Sequence, residues 1–172
     1  MSKKFIHAKV PSSHVAVSRS NSMNPEDGPG WDEFIDALFA TANVNTHTRA
    51  HLDTLPDRYP RLFPTGNLTW GFEVGVGWAQ LIALLVDRID TLLQQDSDAK
   101  MQVRQVKEKF GALRFYYVIK NTSPALQNAI GQAVRQAELA SSICCEHCGM
   151  RGELGNRNGW MTTACSRCAA SL

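Results

Sequence analysis

Four cysteines near the C-terminal end constrain this chain more than any other feature. They stand as Cys145-Glu146-His147-Cys148 and Cys165-Ser166-Arg167-Cys168, two Cys-x-x-Cys pairs separated by sixteen residues. One such pair fits one side of a tetrahedral ion, and a loop of this length lets the second pair close the other side. The spacing predicts one Zn²⁺ held by Cys145, Cys148, Cys165 and Cys168. Four thiolates leave no coordination position for water, so the site is expected to be structural rather than hydrolytic. A redox role is the competing reading of a Cys-x-x-Cys, and two pairs at this separation favour metal. Cys148-Gly149 suits a tight knuckle. Arg151–Leu154 and Gly159–Thr163 read as short strands around a turn at Gly155-Asn156-Arg157-Asn158. The second pair falls where a short terminal helix can begin. Knuckle, hairpin and ligand-bearing helix make the layout of a treble clef, to which the zinc ribbon is a near relative. Cys144 is then a spare thiol, packed or free, and His147 a turn residue rather than a ligand.

A chain of 172 residues has room for one domain of about 100 to 150 residues and an appendage. With 44% hydrophobic and 20% charged residues it fits an ordinary soluble globular protein, not a disordered or membrane one. The longest apolar candidate, Trp78 to Leu93, is broken by Gln80, Asp87, Arg88 and Asp90, so no membrane span of about 18 residues is expected. Lys3 and Lys4 precede no apolar core of about 7 to 15 residues, which argues against a secretory signal. A reducing cytoplasm is the expected compartment, where five cysteines favour metal ligation over disulfides.

The chain divides into a flexible N-terminal arm (1–30), an α+β core (31–143) and the zinc module (144–172). The arm is rich in serine and proline, with one short strand conceivable at His14-Val15-Ala16-Val17. Trp31, Phe34, Ile35, Leu38 and Phe39 recur at helical spacing and predict a helix to about Asn43. Pro56, Pro60 and Pro64 then predict extended chain rather than helix over Leu52–Pro64, pinned by Tyr59, Leu62 and Phe63. Gly71, Gly75 and Gly77 require positive φ or close approach by another group, and lead into the central helix, Trp78 to Gln95. Ser123-Pro124 opens a further helix with an alanine-rich inner face.

Between these helices a β-hairpin is expected, with arms Met101–Val106 and Leu113–Ile119 joined by Lys107-Glu108-Lys109-Phe110-Gly111. Leu113, Phe115, Tyr117 and Ile119 should face the core, and Arg114, Tyr116 and Val118 the other way. The fold class is thus α+β: helices packed on a small antiparallel β-hairpin or sheet, with a C-terminal treble-clef or zinc-ribbon-like module. Charge is segregated along the chain. Residues 31–98 carry four arginines against ten acidic residues, a net of −6, whereas residues 99–120 carry six Lys and Arg against Glu108, a net of +5. Such a run is commonly a solvated face. It also suits a phosphate backbone or an acidic protein, with aromatic and basic residues interleaved to stack bases and grip phosphates.

No Ser-His-Asp, His-Glu-x-x-His or glycine-rich phosphate motif occurs, and the pair His47 and His51 has no supporting ligands. Val106-Lys107-Glu108-Lys109-Phe110-Gly111-Ala112-Leu113-Arg114-Phe115-Tyr116, with Phe72-Glu73-Val74-Gly75-Val76-Gly77-Trp78, Cys145-x-x-Cys148-Gly149 and Gly159-Trp160-x-Thr162-x-x-Cys165, resembles a group of small uncharacterised proteins of tailed phages and prophages. Such proteins often carry an acidic residue where Val76 stands and a histidine where Cys168 stands. The resemblance covers about residues 56 to 168 and implies a host cytoplasm, but no activity. The leading expectation is a non-enzymatic accessory protein. It would bind a host protein or nucleic acid through the zinc module and a hairpin patch of Lys107, Lys109, Arg114 and Tyr116. The alternative is an enzyme with its site near Glu73, Asp87 and Arg114.

Overall fold

A computed structural model describes residues 30–40, 48–66 and 68–172. The arm up to Pro29 with its expected strand at His14–Val17, the end of the first helix near Asn43, and His47 lie outside the described residues. Helix α1 (Trp31–Ala40) buries Phe34 and Leu38 and opens on Asp32 and Glu33, whose charges favour the N-terminal end of the helix dipole. Helix α2 (Arg49–Asp53) is capped by Thr48, whose hydroxyl accepts the His51 amide at 3.2 Å.

Over Leu52–Pro64 the expectation of extended chain is corrected. Leu55–Arg58 forms a helical turn, α3, with Pro56 in its first turn. A proline there loses no hydrogen bond, because the first amides of a helix have no intrahelical acceptor. The anchors behave as expected, since Tyr59, Leu62 and Phe63 are all buried.

The core is built on a β-α-β unit. Strand β1 (Phe72–Glu73) leads through a 3-10 turn at Val76–Trp78 into helix α4 (Ala79–Leu93), and the chain returns as β2 (Lys100–Lys109) parallel to β1. Phe72 lies opposite Val106 and Glu73 opposite Lys107. Helix α4 buries Leu81, Ile82, Leu85, Val86 and Ile89, each worth about 1.5 to 3 kcal/mol when taken from water. Helices α1 and α2 pack on it. Strand β1 escapes sequence inspection because two residues carry no alternation. Its exposed edge is closed by Arg49, whose guanidinium donates to the Phe72 and Val74 carbonyls at 2.7 and 2.8 Å.

Strand β3 (Ala112–Lys120) completes a sheet of order β1-β2-β3, antiparallel to β2. The hairpin differs from expectation in its turn. Lys107 and Lys109 belong to β2, and the connection is only Phe110-Gly111, with φ of 55° and 74°. Two consecutive left-handed residues make the type I′ geometry that matches strand twist. Register shifts between Val103 and Gln105, leaving Arg104 as an extra residue, a bulge. Leu113 and Phe115 are buried and Tyr117 and Ile119 half-buried, as expected of the inner face.

Helix α5 (Pro124–Ala140) covers that inner face and runs beside α4. Its N-cap is Ser123, which accepts the Leu126 amide at 3.2 Å. The Phe115 amide donates to Glu138 at 3.1 Å and the Leu113 amide to the Ser141 hydroxyl at 2.8 Å, so polar bonds as well as packing fix helix to strand. A second antiparallel pair, β4 (Glu153–Arg157) and β5 (Trp160–Ala164), turns at Asn158-Gly159 rather than at the expected Gly155–Asn158. Asn and Gly tolerate the positive φ that both residues adopt. The short helix α6 (Ser166–Ala169) ends the fold. The architecture is α+β, and among the described residues no helix is long and apolar enough to cross a membrane.

Phe110 is a bulky residue in the left-handed region, which costs about 1 to 2 kcal/mol. Its ring centroid lies 5.4 Å from Lys109 Nζ, an exposed contact that returns about 0.5 to 1 kcal/mol. Phe110→Asn should therefore raise unfolding stability by about 0.5 to 1 kcal/mol in a urea titration. A loss of stability would contradict this account of the turn.

Candidate metal centre and the adjoining basic sheet face

The Sγ atoms of Cys145, Cys148, Cys165 and Cys168 all lie within 4.8 Å of one another. Cys148 and Cys165 are 3.6 Å apart. A tetrahedral ion with metal–sulfur bonds of about 2.3 Å sets its sulfurs about 3.8 Å apart, so the cluster has the size and donor set of a four-thiolate metal site. The first pair sits on a knuckle closed by bonds from the Gly149 amide to the Cys145 carbonyl, 2.8 Å, and from the Cys145 amide to the Met150 carbonyl, 2.7 Å. Gly149 takes φ 74° there, which explains glycine after the second cysteine. The second pair opens α6, with Cys165 as N-cap and its sulfur accepting the Cys168 amide at 3.5 Å. Knuckle, hairpin and ligand-bearing helix follow the treble-clef layout.

The thiols are electrostatically unequal. The Cys168 amide draws the Cys165 thiol down to about 7, whereas desolvation pushes Cys168 up to about 12 and raises Cys148. Four thiols this close resist ionising together, and a bound cation would offset that repulsion. Arg167, beside Cys148, adds positive charge at the rim. Cys144 stands apart from the cluster. It is buried, its thiol is pushed up to about 12 by desolvation, and its sulfur faces the Gly77 and Gly149 carbonyls at 3.9 and 3.6 Å. His147 is exposed and does not belong to the four.

Backbone contacts join the cluster to the core. The Gly77 amide donates to the Glu146 carbonyl at 2.8 Å, the Gly75 amide to the Glu146 carboxylate at 3.0 Å, and the Trp78 indole to the Cys144 carbonyl at 2.8 Å. A Cβ on Gly77 would stand 2.6 Å from the Cys148 amide nitrogen and closer still to the Cys145 carbonyl oxygen. Both alternatives anticipated for the glycines occur, because Gly71 has φ 64° while Gly75 and Gly77 admit the knuckle. On the far side the Thr163 hydroxyl donates to the Gly111 carbonyl at 2.7 Å, seating the hairpin tip on the module.

The hairpin residues named from sequence occupy the sheet's outer face. Lys107 and Arg114 are cross-strand partners, and Lys107 Nζ lies 5.4 Å from the Tyr116 ring. Lys109 is at the tip beside Phe110. The face also holds residues that sequence reading passed over. Lys100 pairs with Lys120 at the open end, and Arg104 stands at the bulge with its guanidinium 2.7 Å from Gln102. The imperfect alternation of Met101–Val106 was the signal for that bulge. Trp70 also flanks this face.

Of the residues named for an enzyme, Glu73 and Arg114 share one row with Lys107 between them. Glu73 accepts from Gln105 at 2.6 Å, and the Arg114 guanidinium bonds the Leu113 carbonyl. Asp87 lies on α4 and accepts the Tyr59 hydroxyl at 3.1 Å. No family model matches the chain, and no curated protein or solved structure matches it either.

Gly77→Ala should destabilise the fold by at least about 1 to 3 kcal/mol, because the opposing atoms are backbone and cannot swing away. The midpoint of chemical denaturation measures this, and an unchanged midpoint would count against the tight junction.

Proposed function

We propose that the chain is a non-enzymatic accessory protein of tailed-phage or prophage type. In this reading a structural Zn²⁺ staples the C-terminal module, and the outer face of the β-sheet binds an anionic host partner in the cytoplasm. The observation that carries the binding reading is like charge set against like charge. Lys100 faces Lys120 and Lys107 faces Arg114 across one strand pair. Opposed like charges weaken a sheet, and a local choice that costs stability is expected where a ligand makes use of it. Arg104 and Lys109 add to the same face, while Glu73 supplies one negative charge at its edge. An acidic surface or a phosphate backbone complements such a face.

Zinc is the metal of choice because four thiolates in a tetrahedral cluster match its preference and leave no open position. An enzyme centred on Glu73, Asp87 and Arg114 draws no support from their surroundings, since Asp87 is held by Tyr59 away from the row that carries the other two.

Elemental analysis of the purified protein should return about one zinc per chain. Cys145→Ser and Cys165→Ser should each lower the melting temperature, as should a strong chelator. A metal-free protein with an unchanged melting curve would refute the staple. For the binding reading, reversing Lys107, Lys109 and Arg114 to glutamate should abolish capture of the host partner at low salt, in protein whose circular dichroism shows it still folded. Capture indifferent to those charges would refute it.

A further inference from the structure

The outer face of the sheet is not flat. Two adjoining cavities, of about 330 and 420 Å³, cross it and share Gln102 and Arg104. The first is walled by Trp70 and Tyr116, and the second by Lys100, Lys120 and Val118. Among the described residues, no acidic side chain lines either one. Trp70 is 69% exposed and Tyr116 43%, so two large rings stand open to solvent in one groove. Isolated exposed aromatics need no explanation, but two lining a common cleft beside cations do.

The bulge puts Arg104 at the centre of this arrangement. Inserting one residue between Val103 and Gln105 re-aims the side chain, and Arg104 borders both cavities, its guanidinium held 2.7 Å from the Gln102 side chain. The result is a cationic centre with aromatic walls at one end and a lysine pair at the other. Phosphodiesters need the cations, and unpaired bases need the ring faces. Duplex bases are already stacked on one another and cannot reach a ring in a cleft, and an acidic protein has no use for the rings.

We infer that the groove running from Trp70 and Tyr116 past Arg104 to Lys100 and Lys120 binds single-stranded nucleic acid, with bases on the two rings and phosphates along the cations. This rests on the reading of the outer sheet face as the binding surface and narrows the anionic partner to one class.

The test uses the full-length, metal-loaded protein and four probes. They are oligothymidine and oligouridine of about 15 nucleotides, a length suited to one such surface, a DNA duplex of equal length, and polyglutamate. Both single strands should bind more tightly than the duplex or polyglutamate and should quench tryptophan emission. Trp70→Ala should weaken their binding about tenfold, and Tyr116→Leu, which keeps the strand's preference for large apolar residues, should weaken it similarly. Trp70→Phe should keep most of the affinity but lose much of the quenching, which a purely structural role would not produce. Arg104→Ala should reduce the slope of log affinity against log salt by about 0.7, the share of one phosphate contact on a single strand. Absence of single-strand binding, equal or tighter binding of duplex or polyglutamate, or indifference to both aromatic substitutions would overturn the inference. Reversing Lys107, Lys109 and Arg114 tells the two failures apart. If that variant loses duplex or polyglutamate binding while the aromatic variants bind normally, the basic face stands and the stacking groove falls. If it changes no binding, both fall.

Discussion

The structure depends on a close approach between two backbones. Gly77, at the turn into α4, touches the main chain of Cys145 to Cys148, and no side chain separates them. Because of that contact the Gly77 amide reaches the Glu146 carbonyl, and Trp78, fully buried, places its indole on the Cys144 carbonyl. These bonds satisfy polar groups that would otherwise be buried unpaired at a cost of about 1 to 3 kcal/mol each. The cysteine knuckle is therefore part of the wall of the core. An ion that organises the knuckle also organises the start of the helix around which the core is built.

Thr163 extends the same coupling to the sheet. It is fully buried, its carbonyl accepts the Glu146 amide at 2.9 Å, and its hydroxyl donates to the Gly111 carbonyl at 2.7 Å. One residue of β5 thus joins the knuckle on one side to the hairpin tip on the other. The inner face of the hairpin is held by α5 through Glu138 and Ser141. With Gly111 at the tip seated on the module and the inner face packed against α5, the outer face is presented from a fixed platform. Local ordering of the cysteine module and the posture of the basic face are consequently linked through the Glu146–Thr163 and Thr163–Gly111 hydrogen bonds, not through a distant conformational change.

The features legible in the sequence are those with a local physical cause. Cysteine spacing forecast the cluster because a metal polyhedron limits how far apart its ligands can stand in the chain. The faces of α1, α4 and α5 followed from helical periodicity, and the inner residues of β3 from alternation. What escaped depends on contacts distant in sequence or on one residue's position in a turn. Pro56 signalled a break, yet its first-turn position made it compatible with α3. Strand β1 exists because Phe72 and Glu73 find β2 across α4, which no pattern within two residues can announce. The lysines and glutamate of Lys107–Lys109 read as loop, whereas in that segment Phe110 and Gly111 alone adopt left-handed φ. Trp70 went unnoticed as a groove residue because its neighbours there, Gln102, Arg104 and Tyr116, are more than thirty positions away.

The charge pattern along the chain takes on a different meaning in three dimensions. An acidic segment followed by a basic one invites the view that the two neutralise each other, and on this sheet, among the described residues, they meet at the single pair of Glu73 and Lys107. Lys107 and Lys109 lie over the rings of Tyr116 and Phe110, and among the described residues neither forms an ion pair with a carboxylate. The two like-charged pairs remain cross-strand neighbours, closer in register than the Debye length of about 8 Å at ordinary salt. The sheet tolerates this because its other side is packed, with Val106, Leu113 and Phe115 buried and α5 lying on β3. A sheet held from its inner face can keep a predominantly basic outer one. An anion bound there would relieve repulsion between these paired cations, and that relief would add to the contacts it made.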